Sequence, residues 1–211
     1  MRTCAGEKMS FRTTDKEDRV MIFLDLANIS FGLSDHEGLE NSTIDHELLA
    51  KTLIDGRKVA GAMAFDTIQY FNSKGLMAKY LSEIGYKIVY GHMEDDRQKE
   101  VDVSIATEMI MHAVRDHYDV AILISGDRDF IHAINAVQSL GKKVEVASFS
   151  MCTSSAMMRV SDKYVDVGAL PIVDYCVPCA KETCEVPKET DEEFTDVFAL
   201  IKAEKECQGV E

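Results

Sequence analysis

Asp119-Val-Ala-Ile-Leu-Ile124-Ser125-Gly126-Asp127-Arg128-Asp129-Phe130 joins the most apolar run of the chain directly to a polar turn. Val120 to Ile124 carries no polar residue and is too short for a helix. It reads as a central strand, buried on both faces of a parallel sheet. Ser125-Gly126-Asp127 turns the chain, and Arg128 to Leu140 has helical spacing up to Gly141, where a C-cap glycine belongs. A strand that turns straight into a helix leaves Asp127 and Asp129 at the carboxyl rim of the sheet.

Segments on either side repeat the alternation. Val20-Met-Ile-Phe-Leu-Asp25 is a second apolar run ending in an acid. Asp45 to Lys58 is spaced as a helix, and Thr67-Ile-Gln-Tyr-Phe71 reads as a strand. Ser73 is placed to cap a helix carrying Leu76, Met77, Tyr80, Leu81 and Ile84, which ends at Gly85. Tyr86 to Tyr90 is a strand, Gly91 to Glu100 a charged loop, and a helix opens at Asp102. Lys143 to Ala147 is a strand, Ser154 to Val160 a short helix, and Val165 to Val167 a weak sixth strand. This order predicts an α/β, Rossmann-like fold: a parallel sheet with helices on both faces and right-handed crossovers. Residues 1–18 read as a flexible start, 19–170 as the domain, and 171–211 as an acidic, cysteine-containing tail with a short helical appendage.

The chain of 211 residues holds 37 Asp+Glu against 23 Lys+Arg, a net charge of −14. A surface this acidic argues against an all-round electrostatic grip on nucleic acid or an anionic membrane, without excluding a local site. Residues 181–211 hold ten Asp/Glu and four Lys, so much of the excess lies in the tail. No apolar run reaches the roughly 18 residues of a membrane span. Met1 to Arg19 has no apolar core of an export signal. The expectation is a cytoplasmic protein whose six cysteines are reduced or metal-bound.

Sites in open α/β sheets form beyond the carboxyl ends of the strands. Asp25 ends one strand, Asp127 and Asp129 follow another, and Asp102 opens the helix that leads into it. Four carboxylates facing one crevice repel unless a cation or bound protons offset them, and all-oxygen sites suit Mg²⁺ or Mn²⁺. Asn28 and Ser125 add neutral oxygens. The plainer reading is that each Asp caps backbone N–H groups, with Asp102 the most cap-like and Asp127 the least.

Phe23-Leu-Asp25-Leu-Ala-Asn28, Lys99-Glu-Val-Asp102-Val and Ile124-Ser-Gly-Asp127-Arg-Asp129-Phe130 resemble the three motifs of the NYN family of PIN-like nuclease domains, including the LabA/DUF88 group. The resemblance covers about residues 18–170. It implies a metal-dependent ribonuclease of PIN-like fold acting on RNA, single-stranded by preference. It also implies that Asp25, Asp102, Asp127 and Asp129 hold Mg²⁺ or Mn²⁺ and carry catalysis, with Asn28 and Ser125 supporting them. Glu100 stands where the family commonly has Gly, and Arg128 where it commonly has a small residue.

Lys74, Lys99, Arg128, Arg97 and Arg159 are candidate phosphate contacts, each equally readable as a solvated charge. Phe31 and Phe130 are candidates for stacking on bases, with core packing the plainer reading of Phe130. His112 and His117 read as structural or surface residues, and His92 and His132 lie nearer the rim. In the tail, Cys176, Cys179, Cys184 and Cys207 are a candidate structural Zn²⁺ set, although the spacing lacks a second tight pair. Thr190 and Glu193 form a capping-box pattern before an amphipathic helix suited to docking on the domain or on a second copy as a homodimer. Two further classes remain open: a non-catalytic RNA- or protein-binding module, and another Rossmann-like phosphotransfer domain. The latter is disfavoured because Ala27, not a second Asp, stands two residues after Asp25.

Overall fold

The computed structural model describes residues 16–35, 42–91, 99–171 and 173–175. The chain runs β1 (Arg19–Asp25), α1 (Leu26–Asp35), β2 (Ser42–Ile44), α2 (His46–Ile54), β3 (Lys58–Thr67), α3 (Ile68–Ser73), α4 (Met77–Glu83) and β4 (Lys87–Gly91). It continues through α5 (Lys99–Val114), β5 (Val120–Ile124), a 3₁₀ turn (Arg128–Phe130), α6 (Ile131–Ser139) and β6 (Lys143–Ser148). α7 (Ser155–Val160), β7 (Lys163–Asp166) and β8 (Val173–Tyr175) follow, with short 3₁₀ turns at Ser150–Cys152 and Val167–Ala169.

Six strands form one parallel sheet in the order β4-β3-β1-β5-β6-β7. The chain builds outward one way from β1 through β3 to β4, then returns and builds the other way from β5 through β6 to β7. The order therefore reverses between β1 and β5, and a crevice opens where adjacent connections diverge. A separate antiparallel ribbon joins β2 to β8. Among the described residues no helix is long and apolar enough to cross a membrane.

Side chains alternate across the sheet with the two-residue period of a strand. Val20, Ile22 and Leu24 of β1 face one core with Val120, Ile122 and Ile124 of β5, covered by Leu26 and Ile29 of α1, Leu49 and Leu53 of α2, and Leu81 of α4. Met21 and Phe23 face the other, with Ala121 and Leu123, beneath Val101, Ile105 and Met109 of α5, Ile134 and Val137 of α6, and Met157 of α7. Both faces are buried, which is why the strands read as unbroken apolar runs rather than alternating ones.

Local expectations need correction at the second strand. It spans Lys58–Thr67, and the stretch read as a strand, 67–71, is instead the cap and body of α3. Ala60, Gly61, Ala62 and Ala64 disguise β3, since small residues carry little strand signal. Thr67 Oγ1 accepts from the Tyr70 N–H and starts α3. Helix α2 stops at Ile54 because Asp55 and Gly56 adopt φ of 50° and 73°. Ser73 closes α3 rather than capping α4, its Oγ donating to the Tyr70 carbonyl. α5 begins at Lys99, three residues before Asp102. Helix α1 and the β2–β8 ribbon had no expectation, and the proposed tail helix lies outside the described residues.

Arg57 and Glu145 form a buried ion pair between the chain entering β3 and the middle of β6. The guanidinium donates to both Glu145 oxygens at 2.8 and 2.9 Å. It also donates to the carbonyls of Ile54 and Leu53, closing the end of α2. Removing one charge strands the other, a loss of about 3–5 kcal/mol. Glu145→Ala is expected to lower the urea midpoint accordingly, and Arg57→Met with Glu145→Met to recover a large part of it.

Candidate active site

Asp25 is the last residue of β1 and is 3 % exposed. Its Oδ1 accepts from the Asn28 N–H at 3.1 Å, and its Oδ2 from Ser125 Oγ at 2.9 Å. The first bond starts α1 directly off the strand. The second ties β1 to the turn after β5 across the point where the strand order reverses. Ser125 Oγ in turn accepts from the Asp127 N–H at 3.2 Å, and Asn28 Oδ1 from the Gly126 N–H at 2.9 Å. Asn28 and Ser125 thus position Asp25 and the Asp127 turn as one unit. Gly126 is required there, because an added Cβ would meet Thr153 Oγ1 at 2.7 Å.

Asp102 lies in the first turn of α5, not at its cap. The end of β4 passes so close to this helix that a Cβ on Gly91 would meet Val101 Cγ2 at 2.5 Å. That close approach brings the N-terminal turn of α5 against the carboxyl end of the sheet. Asp127 is the residue that does act as a cap, its Oδ1 accepting from the Asp129 N–H at 2.9 Å. The capping expectation is therefore reversed between these two residues.

A cavity of about 450 Å³ opens at this edge, lined by Asp25, Asn28, Phe31, Asp66, Tyr70, Asp102 and Asp127 among others. Asp129 is exposed and lines a neighbouring depression with Asp102, Val103 and Phe130. It bears on the site through its charge on Asp102. Asp66, absent from the sequence reading, takes a place on the cavity instead. It is 1 % exposed near the end of β3, its Oδ1 accepts from the Thr67 N–H at 2.6 Å, and its Oδ2 is buried with no hydrogen-bond partner. Phe65-Asp66 repeats the apolar-run-then-acid pattern of Leu24-Asp25. That signal was available once β3 was recognised.

Burial pushes the Asp25 carboxyl up to about 6, against the hydrogen bonds from Asn28 and Ser125 and with help from the charges of Asp102 and Asp66. Burial likewise pushes Asp66 up to about 6. Asp102 is raised by burial first, then by Asp127 and Asp129. These groups share one field. Among the described residues, however, no three His, Cys, Asp or Glu side chains form a ready-made metal cluster.

Phe31, 66 % exposed, lines both the cavity and an adjoining depression that holds Asn28, Gly126, Arg128 and Ser154. Lys74 is exposed, with its Nζ 5.6 Å from the centre of the ring of Tyr70, a residue that lines the cavity. Lys99 opens α5, and its side chain lies outside the described residues, as do Arg97, His92, Cys176, Cys179, Cys184 and Cys207. Arg159 and His132 are exposed on α7 and α6. Phe130 is a core residue, 2 % exposed.

The NYN-domain profile matches residues 19–170. This chain belongs to the NYN family. The family is nuclease-like, of the PIN-like kind, and its members generally use divalent metals. A crystal structure of a protein of unknown function from Vibrio parahaemolyticus has the same fold, with TM-score 0.63 and 22 % identity over 74 % of this chain and 96 % of that one. No curated protein sequence matches the chain significantly.

A carboxyl group whose folded value lies above the unfolded one holds its proton more tightly when folded. Its contribution is fully present below about pH 4 and is lost as pH rises through about 6. The metal-free protein is thus expected to lose stability across that window. Asp25→Asn and Asp66→Asn should each flatten the decline, gaining up to about 3 kcal/mol above pH 6. Urea midpoints measured with a chelator from pH 4 to 7 check this.

Proposed function

We propose that this NYN domain is a divalent-cation-dependent ribonuclease that hydrolyses single-stranded RNA at the aspartate cavity. The observation that carries this is charge: Asp25, Asp66, Asp102 and Asp127 line one open cavity, with no Lys or Arg lining it among the described residues. Such a grouping is costly alone and is offset by a cation. The donor set is all oxygen, and the unpartnered Oδ2 of Asp66 fits a hard ion such as Mg²⁺ or Mn²⁺.

Asp25, Asp66, Asp102 and Asp127 would hold the cation, with Asp129 adding charge from outside. When bound, it supplies Lewis-acid activation of water and charge neutralisation at the leaving oxygen of an in-line displacement. The chain's own work is placement. Ser125 and Asn28 direct both Asp25 oxygens and lock the Asp127 turn, so the carboxylates need little reorganisation on binding. Burial keeps water from screening Asp25 and Asp66. Arg128 in the adjoining depression and Lys74 beside Tyr70 suit phosphates flanking the cavity, and Phe31, which lines both cavity and depression, suits stacking on a base.

Labelled single-stranded RNA incubated with Mn²⁺ or Mg²⁺ tests the reading. Cleavage by the wild type should fall at least about a hundredfold in Asp25→Asn, Asp66→Asn and Asp127→Asn, the scale of losing one electrostatic contributor. Equal cleavage by all four proteins would overturn it. RNA binding without cleavage would favour the non-catalytic module. Separately, Phe31→Ala in the Asp127→Asn background should weaken RNA binding by about 1–3 kcal/mol, the scale of one base stack, in a fluorescence anisotropy titration.

A further inference from the structure

At the far end of α5 from Asp102, two imidazoles meet. His112 Nδ1 and His117 Nδ1 are 2.8 Å apart, with ring centres 4.9 Å apart. The backbone causes the meeting. Asp116 adopts φ of 55°, its N–H donates to the Ala113 carbonyl, and the His117 N–H donates to the His112 carbonyl at 3.0 Å. This is a Schellman ending, which folds the second residue past the helix back over the last turn and normally pairs two apolar side chains. Here the pair is two histidines. The left-handed Asp116 is anchored by Arg19, which donates to its carbonyl at 2.8 Å, and by Lys142 on its carboxylate.

The chemistry of the pair is set from behind. Glu108, one turn earlier, lies 3.2 Å from His112 Nε2. A neutral His112 donates its proton there and turns the Nδ1 lone pair toward His117. With His112 Nδ1 as acceptor, the 2.8 Å contact is a hydrogen bond in which His117 Nδ1–H donates. His117 is exposed, and moving its proton to Nε2 gives a second Nδ1 lone pair that a cation can take in place of that hydrogen bond. The His112 ring is held against Phe23, 6.4 Å between centres, so it cannot turn away freely.

We propose that His112 and His117 form a two-imidazole site for a borderline transition-metal cation such as Zn²⁺, separate in place and chemistry from the aspartate cavity. Carboxylate behind histidine is the outer-shell arrangement found at metal sites, where it fixes the tautomer. Zn–N bonds of about 2.0–2.1 Å in tetrahedral geometry place two ligand nitrogens about 3.3 Å apart. The pair opens by about half an ångström to reach this, a small ring rotation at the exposed His117. Solvent completes the coordination. Burial lowers the basicity of His112; Glu108 opposes this, and His117, Lys87 and Arg115 add to it, which favours the neutral ring that a cation needs. Mg²⁺ and Mn²⁺ prefer oxygen and leave this pair alone. Binding here ties down the end of the helix whose other end carries Asp102.

The full chain, with its cysteines first alkylated by iodoacetamide so that the tail thiols do not compete, is titrated with Zn²⁺ at about pH 7.5. Histidine ring ¹⁵N resonances are followed alongside calorimetry. The Nδ1 signals of His112 and His117 are expected to shift together on one site. His117→Ala, an exposed change, should abolish that binding, while Glu108→Gln should weaken it about tenfold or more. Asp127→Asn should leave it intact. No shift of either Nδ1 signal, or equal Zn²⁺ affinity in His117→Ala, would overturn the proposal.

Discussion

β1 is pinned between β3 and β5, and the site depends on that pairing. From β1 the chain builds outward in both directions, so the carboxyl end of this strand is flanked by connections that part company. Everything the cavity needs follows from filling that gap. Asp25 sits at the end of β1, Asp66 near the end of β3, and Ser125 and Asp127 just past β5. The hydrogen bond from Ser125 to Asp25 closes the gap at its floor.

The same constraint explains why carboxylates are tolerated where apolar side chains would be cheaper. Both faces of the central strands β1 and β5 are sealed, so their polar groups stand at the strand ends. Buried acids there have raised affinities for protons, with Asp25 and Asp66 both pushed up to about 6. A proton and a divalent cation compete for such a group. Protons relieve the repulsion in the metal-free molecule, and a divalent ion would do so in their place under the proposed function. The overall acidity of the chain is then a separate matter, carried by surface and tail.

Much of this was legible in the sequence, for a physical reason. A doubly buried strand is an unbroken apolar run, and an Asp at its end is conspicuous, so Asp25 and Asp127 stood out. Asp102 was found by its position before β5, yet its role as a helix-interior residue depended on where α5 begins. Asp66 was missed because Ala and Gly in β3 pack well in the sheet but carry no strand signature. The neighbouring Ile68-Gln-Tyr-Phe71 imitated one. Asp129 lines the neighbouring depression with Asp102, a placement that no periodicity reports. The His112–His117 contact arises from a left-handed aspartate at a helix end, a conformation that Gly would have advertised and Asp does not.

The central claim is that the aspartates at the β1–β5 crevice bind a divalent cation. Anomalous diffraction from crystals soaked in Mn²⁺ tests it without reference to turnover. The account expects a Mn²⁺ peak within bonding distance of carboxylate oxygens drawn from Asp25, Asp66, Asp102 and Asp127. A saturating soak that leaves this cavity without a peak, in a lattice where it is open to solvent, would contradict it.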